Sequence, residues 1–325
     1  MDADTYDLFL KGRYYAGQFT PDGFERGLEY LHQAVRADSA NAAAWGWLAI
    51  VYSMVGHDKI PDAFAQAKEA ATRALAIDPE SAEAHEVLGE IKMYADWDDW
   101  PGAEAAFRRA LALNPNLGFA HRNFGWYLNL MGRPQESLAE IVRARIVDPM
   151  APMWASDLGW QYWDGRQYDL AAEQARQALD LDPAFPWAYT LLGLVHGEQG
   201  RHAEAIAALL KASQGDPEMR GWLAQSYARA GNRDQALRVI AAIEQQPSPM
   251  LDFGLAAAYA SLGDRTAALD RLERAYAARF SLMPWLRRRD TGLQRPFAPF
   301  RSDARYQDLI RRMHLTDEGA SSASP

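Results

Sequence analysis

The chain has 325 residues, enough for two ordinary domains or one elongated repeat array, and is 49 % apolar and 24 % charged, the balance of a soluble folded protein. It has no cysteine, which excludes disulfides, thiolate metal sites and a cysteine nucleophile, and its net charge of −9 disfavours nucleic acid as the main partner. The start, Met1-Asp2-Ala3-Asp4, is acidic with no apolar stretch behind it, and no apolar run is long enough to span a bilayer, so a cytoplasmic location is expected.

Alanine runs such as Ala42-Ala43-Ala44 and Ala256-Ala257-Ala258 lean the chain towards helix. In chain order, Gly12, Tyr15 and Ala34 mark a first degenerate unit, followed by a turn stretched at Thr20-Pro21-Asp22-Gly23. Trp45, Leu48, Ala49, Tyr52 and Ala74 mark a second, with an insertion around His57–Asp62. From there the register is strict. Asp-Pro or Asn-Pro pairs place Pro79, Pro115, Pro149, Pro183 and Pro217 at spacings of 36, 34, 34 and 34. Ten residues after the first four stand Gly89, Gly125, Gly159 and Gly193, each preceded by Leu or Phe, and five residues before each proline is an alanine (Ala74, Ala110, Ala144, Ala178, Ala212). A further insertion covers Asp96–Trp100, and two degenerate units follow, marked by Ala224, Tyr227 and Ala236, then by Ala256, Tyr259 and Ala268.

The landmarks have physical roles. Glycine within a helix costs about 1 kcal/mol against alanine, so it needs a reason, and close approach of a partner helix is one. The Asp-Pro pair ends each unit, because proline cannot continue a helix and restricts the residue before it. Turns within the units carry Gly132, Gly165, Gly200, Gly231 and Gly263.

This pattern resembles the tetratricopeptide repeat family, whose unit is a 34-residue helix–turn–helix. The resemblance implies an all-α, right-handed superhelical solenoid of about eight helix pairs over residues 1–278. A narrower resemblance rests on Tyr6-Asp7-Leu8-Phe9-Leu10-Lys11-Gly12-Arg13-Tyr14-Tyr15, on Asp96-Trp97-Asp98 and on Phe300-Arg301-Ser302-Asp303-Ala304-Arg305-Tyr306. Together they look like the repeat halves of certain bacterial winged-helix transcription regulators and signalling kinases. Nothing precedes Met1, so the effector half of those proteins is expected to be missing and any regulation to pass through a separate partner.

Residues 279–314 change character. Nine arginines stand there against three aspartates, a charge of +6 that leaves about −15 for the rest, and a basic end of this kind can be no more than solvated surface. Phe280–Phe300 carries Pro284, Pro296 and Pro299 with Trp285, Phe297 and Phe300, and reads as a folded cap on the last repeat. Ser302–Met313 reads as one helix with Tyr306, Leu309, Ile310 and Met313 on one face, and residues 315–325 as a disordered tail.

Motifs for chemistry are absent: there is no Walker loop, Gly-x-Gly-x-x-Gly, Gly-x-Ser-x-Gly or His-Glu-x-x-His. His85 and His121 occupy one repeat position, four residues before Gly89 and Gly125, where Trp45 and Tyr189 stand in other units, and read as structural. Asp96-Trp97-Asp98-Asp99-Trp100 reads as a helix cap with an aromatic anchor rather than a cation site, which needs several converging oxygens. Neither an enzyme nor a cofactor is expected.

The residue after each marker glycine, with its neighbours at −4, −7 and +3, forms one face of the unit's first helix. The family resemblance implies that this face lines the concave groove. It carries Glu83, Glu86, Glu90 and Met93 in unit three, and Phe119, Arg122, Trp126 and Asn129 in unit four. Unit five gives Met153, Ser156, Trp160 and Trp163, and unit six Trp187, Thr190, Leu194 and Gly197. Across units four to six, four Trp, a Phe and a Met are unexpected on a solvated face, and such patches usually mark binding sites. They read as a partner surface, with two alternatives: burial within a tightly wound superhelix, or a groove filled by a neighbouring tail. The expected partner is another protein or peptide, and self-association stays open. The carboxylate clamp of chaperone-binding relatives is not matched, because Arg122 and Asn129 stand among tryptophans. The sequence therefore points to a non-enzymatic scaffold in bacterial signalling or transcription control, or else to a sensor whose aromatic groove takes a small molecule.

Overall fold

The computed structural model describes residues 3–18, 20–55, 62–246, 248–288 and 291–314. Of the insertion expected around His57–Asp62 only Asp62 is among them, and the tail expected at 315–325 lies outside. The described residues hold no strand. The helices are α1 (Ala3–Ala16), α2 (Pro21–Ala37), α3 (Ala42–Val55), α4 (Ala63–Ile77), α5 (Ala82–Ile91), α6 (Trp100–Leu113), α7 (Gly118–Leu130) and α8 (Pro134–Val147). They continue with α9 (Pro152–Asp164), α10 (Tyr168–Leu181), α11 (Pro186–Glu198), α12 (His202–Gly215), α13 (Arg220–Arg229), α14 (Arg233–Ile243), α15 (Pro249–Leu262) and α16 (Arg265–Ala277). These sixteen fall into eight successive pairs, and α17 (Ala304–Arg312) follows.

Two compact units divide the chain: residues 1–127 with 146–148, and residues 128–145 with 149–325. In the first, α1 packs on α2, α3 on α4 and α5 on α6, with α3 also against α5. The second pairs α9 with α10, α11 with α12, α13 with α14 and α15 with α16, and its first helices touch in series from α9 to α15.

The repeat landmarks are the residues that close each pair. Asp38, Asp78, Asn114, Asp182 and Asp216 each donate their backbone N–H to the carbonyl of the alanine four residues back. Each also accepts, on its side-chain oxygen, the N–H of the residue two positions on, at 2.9–3.1 Å. This Asx turn stops one helix and aims the next. A second device repeats beside it. Trp45, His85, His121 and Tyr189 each bond the carbonyl six residues earlier, at 2.9–3.1 Å, so His85 and His121 stitch loops as expected. At Gly193 an added Cβ would come within 2.5 Å of Leu209 on the paired helix, which is the close approach the marker glycines were expected to serve. The turn of unit five departs from expectation: Gly165 has φ −72° and Arg166 takes the left-handed conformation at φ 58°.

In the Asp96–Trp100 insertion a short π-helix, Lys92–Asp96, ends on Trp97, which is fully buried, and Asp99 caps α6 through the Gly102 N–H at 2.9 Å. At the other end, a 3-10 turn at Met283–Arg287, a second at Arg295–Phe300 and α17 pack on α15 and α16. Phe253 of α15 lies between Phe280 and Phe297, with ring centroids at 5.6 and 5.7 Å. The Tyr306 hydroxyl donates to the Leu286 carbonyl at 2.8 Å. Phe297→Ala should therefore cost about 3–5 kcal/mol. A fall of the second unit's melting temperature by roughly 6 °C or more is the expected reading, and a change within error would show that Phe297 carries no load.

Candidate functional site

The ten predicted groove residues fall on both units, and none is freely exposed. In the first unit, Phe119, Arg122 and Trp126 are partly covered. The Phe119 ring meets Trp47 of α3 edge-on at 6.1 Å, and the Arg13 guanidinium sits 4.4 Å from the Trp47 ring. Trp47 joins this cluster although the position rule does not select it: counted from Ala49, the rule falls on Gly46, Ile50 and Ser53. The acidic positions nearby are buried: Ser53 donates to Glu90 at 2.7 Å and Asn123 to Glu86 at 2.6 Å. Burial, and then the neighbouring Glu90 charge, raise the Glu86 carboxyl well above the usual range.

In the second unit, Asn129, Ser156, Trp160, Trp163 and Thr190 are buried, while Met153 and Trp187 are partly covered. Thr190 donates to the Pro186 carbonyl of its own helix at 3.0 Å, and Asn129 donates to Gln161 at 2.6 Å. Trp160 packs edge-on against Trp163 at 5.3 Å and against Trp187 at 6.2 Å. The open face that helical periodicity suggests is thus partly internal framework.

What covers it is the chain itself. The segment between the two C-terminal 3-10 turns runs back over the carboxyl ends of α7, α9 and α11. Arg288 donates to the Asn129 carbonyl. The Gly292 N–H donates to Asp164 Oδ1 at 2.9 Å. Arg295 reaches Glu198 Oε2 at 2.9 Å, the Tyr168 hydroxyl at 3.3 Å and the Trp163 carbonyl at 3.5 Å, its guanidinium 5.3 Å from the Trp163 ring. The basic stretch is therefore not merely solvated surface. Helix carboxyl ends leave carbonyls without intrahelical partners and carry partial negative charge, which arginine satisfies. Gly292 has a strict reason to be glycine: an added Cβ would stand 2.1 Å from Trp163 Cη2. We call the described residues 288 and 291–296 the strap.

The strap encloses Asp164, whose carboxyl burial pushes up to about 6 against the opposing pull of the Gly292 N–H, Arg288 and Arg295. Beneath it lies a half-open cavity of about 250 Å³ lined by Trp163, Leu194, Glu198, Trp222, Gln225, Arg229, Ser261, Gly292, Arg295 and Pro296. Among the described residues no group of three or more His, Asp or Glu could hold a metal ion. No helix among them is long and apolar enough to cross a membrane.

The family model for the tetratricopeptide repeat matches residues 131–183, 156–219 and 223–284, the stretch in which these paired helices and Asp-Pro turns recur. Over that stretch the chain is a tetratricopeptide repeat protein. Its backbone superposes on a chain of the APC/C hetero-tetramer Cut9–Hcn1 with a TM-score of 0.61 at 15 % identity, over 89 % of this chain and 52 % of that one. It superposes on PilW, a type IV pilus biogenesis factor, with a TM-score of 0.51 at 24 % identity, over 63 % of this chain and 93 % of that one. At these identities the likeness is one of fold. By sequence, this repeat protein is 27 % identical over 149 residues to the transcriptional regulator HilA of Salmonella typhimurium, and likewise to that of Salmonella typhi. The match spans 45 % of this chain and 27 % of the regulator.

Two measurements test the strap. Gly292→Val should expel it from the repeat protein, so that acrylamide quenches tryptophan fluorescence more strongly and protease cuts between residues 287 and 296, while helical circular dichroism is kept. Unchanged quenching and cleavage would mean that the strap does not depend on Gly292. Asp164, raised to about 6 against an ordinary value near 4, binds a proton in the folded state that the unfolded chain has already released. Its contribution therefore falls as pH rises from about 4 to about 6 and is level beyond. Urea midpoints measured across that window should lose this slope in Asp164→Asn, and an identical slope in the variant would assign it elsewhere.

Proposed function

We propose that the chain is a non-enzymatic scaffold that binds an extended, arginine-bearing segment of another protein across the carboxyl ends of α9 and α11, in competition with its own strap. The observation that supports this is the strap. An irregular stretch of backbone is held there through one N–H and two guanidinium groups, over a tryptophan that accepts no side chain above it. A partner segment of the same chemistry can make the same bonds. Met153 and Trp187, partly covered beside the buried Trp160, are the proposed flanking contacts, with Trp163 and Asn129 as the floor and Ser156 and Thr190 as framework. On the first unit, Phe119, Arg122 and Trp126 are proposed as a further contact face. Similarity to HilA favours a place in bacterial transcription control or signalling, exercised through the protein so bound.

The strap is tethered, so it competes at an effective concentration on the order of millimolar. A labelled peptide of residues 286–297 should bind the Gly292→Val protein at least about tenfold more tightly than the unaltered chain. Adding Trp187→Ala should weaken that binding by on the order of 2 kcal/mol, about thirtyfold. Fluorescence anisotropy reads both. A folded, strap-open variant that fails to take up the peptide would sink the proposal.

A further inference from the structure

The cavity beneath the strap is richer in donors than the groups around it can use. Glu198 is its one carboxylate, and both oxygens are engaged: Oε1 accepts from Arg229 at 2.7 Å and Oε2 from Arg295 at 2.9 Å. Two arginines and one glutamate leave the wall with a formal charge of +1. A guanidinium carries five N–H donors. Arg229 uses one on Glu198 and one, at 3.4 Å, on the Gly197 carbonyl. Ser261 spends its hydroxyl proton on the Ala257 carbonyl at 2.9 Å and keeps its lone pairs.

Gln225 carries the argument furthest. Its side chain lines the cavity, the residue is 3 % exposed, and its amide makes no hydrogen bond among the described residues. The amide thus faces the cavity with both its donor and its acceptor capacity unspent on protein groups. Around these polar groups the wall is apolar and flat, formed by Trp163, Trp222, Leu194 and Pro296. A half-open cavity of about 250 Å³ accommodates one aromatic ring with a short acidic arm.

We propose that this cavity binds a small aromatic monocarboxylate, its ring between Trp163 and Trp222 and its carboxylate taken by Arg229 and the Gln225 amide. The ligand neutralises the surplus charge and supplies the missing partner of Gln225. Because Arg295 and Pro296 of the strap form part of the wall, the site is complete only with the strap in place. It does not depend on the strap's having a competitor, so it stands or falls separately from the peptide-binding reading.

The test is calorimetry on the unaltered full-length chain with phenylacetate, 3-phenylpropionate and indole-3-acetate, and with 2-phenylethanol and acetate as partial probes. At least one aromatic acid should bind saturably with a Kd below about 1 mM, at least tenfold tighter than 2-phenylethanol or acetate, and should raise the melting temperature. Gln225→Leu and Arg229→Gln, each checked for unchanged circular dichroism, should weaken that acid at least tenfold. If Gln225→Leu fails to fold, Arg229→Gln alone decides. Failure of all three acids to bind, equal binding of 2-phenylethanol, or undiminished binding by the folded variants each overturns the proposal. Inorganic phosphate binding as well as the aromatic acids would overturn it too, since it would reduce the site to an unspecific anion pocket.

Discussion

A helix ends with carbonyl groups that nothing in the helix can satisfy, and a stack of parallel first helices brings several such ends together. In the second unit, α9 and α11 end side by side on Trp163, Asp164 and Glu198. Left to water, that edge is partly negative and polar, next to a cluster of tryptophans. Arg288, the Gly292 N–H and Arg295 answer it with donors at the spacing the helix ends present. The burial of Trp163, the raised Asp164 carboxyl and the enclosure of the cavity all follow from this contact. Without it, Trp163 would lie open to solvent and Glu198 would keep only Arg229.

The register of those ends comes from the repeat. Each Asx turn stops the second helix of a pair, and the Trp, His or Tyr bonded to the carbonyl six residues back fixes how the first helix of the next pair leaves, and with it where that helix ends. Glycine on the facing surfaces lets the paired helices approach closely. The unit's chemistry is local, and its consequence is a row of helix carboxyl ends that a single extended segment can cross.

This division explains what the residues alone disclose. The period, the paired helices, the capping aspartates and the loop-stitching histidines are legible because each depends on neighbours within one or two turns. The inner face is legible only in part. Helical periodicity finds Trp160, Trp163 and Trp187, yet it cannot say that Trp163 is 2 % exposed, since the residue that covers it, Gly292, is 129 positions away with no period linking the two. Nine arginines in 279–314 are visible as an anomaly. The two that reach back, Arg288 and Arg295, find backbone carbonyls and Glu198 on helices of other repeats, and no local signal pairs them. Trp47 escapes for a different reason: counted from Ala49, the marker of its degenerate unit, the positional rule selects Gly46, Ile50 and Ser53 instead.

The strap and the cap, though continuous, are held by different forces. Trp285 and Leu286 on one side and Phe297 and Phe300 on the other are buried in the aromatic packing of α15 and α16, where salt and pH have little purchase. Of the described residues between them, Leu293 is buried and Gly292 lies on the Trp163 ring, while Arg288, the Gly292 N–H and Arg295 add hydrogen bonds and charge. Releasing a stretch of about ten residues between fixed ends frees little chain, because loop entropy grows only slowly with length. On the proposed reading the strap leaves the inner face while the cap stays on the last repeat. That is the arrangement a tethered competitor needs: the bonds made by Arg288, the Gly292 N–H and Arg295 are ones a partner segment can replace, while the apolar anchors on either side stay in place.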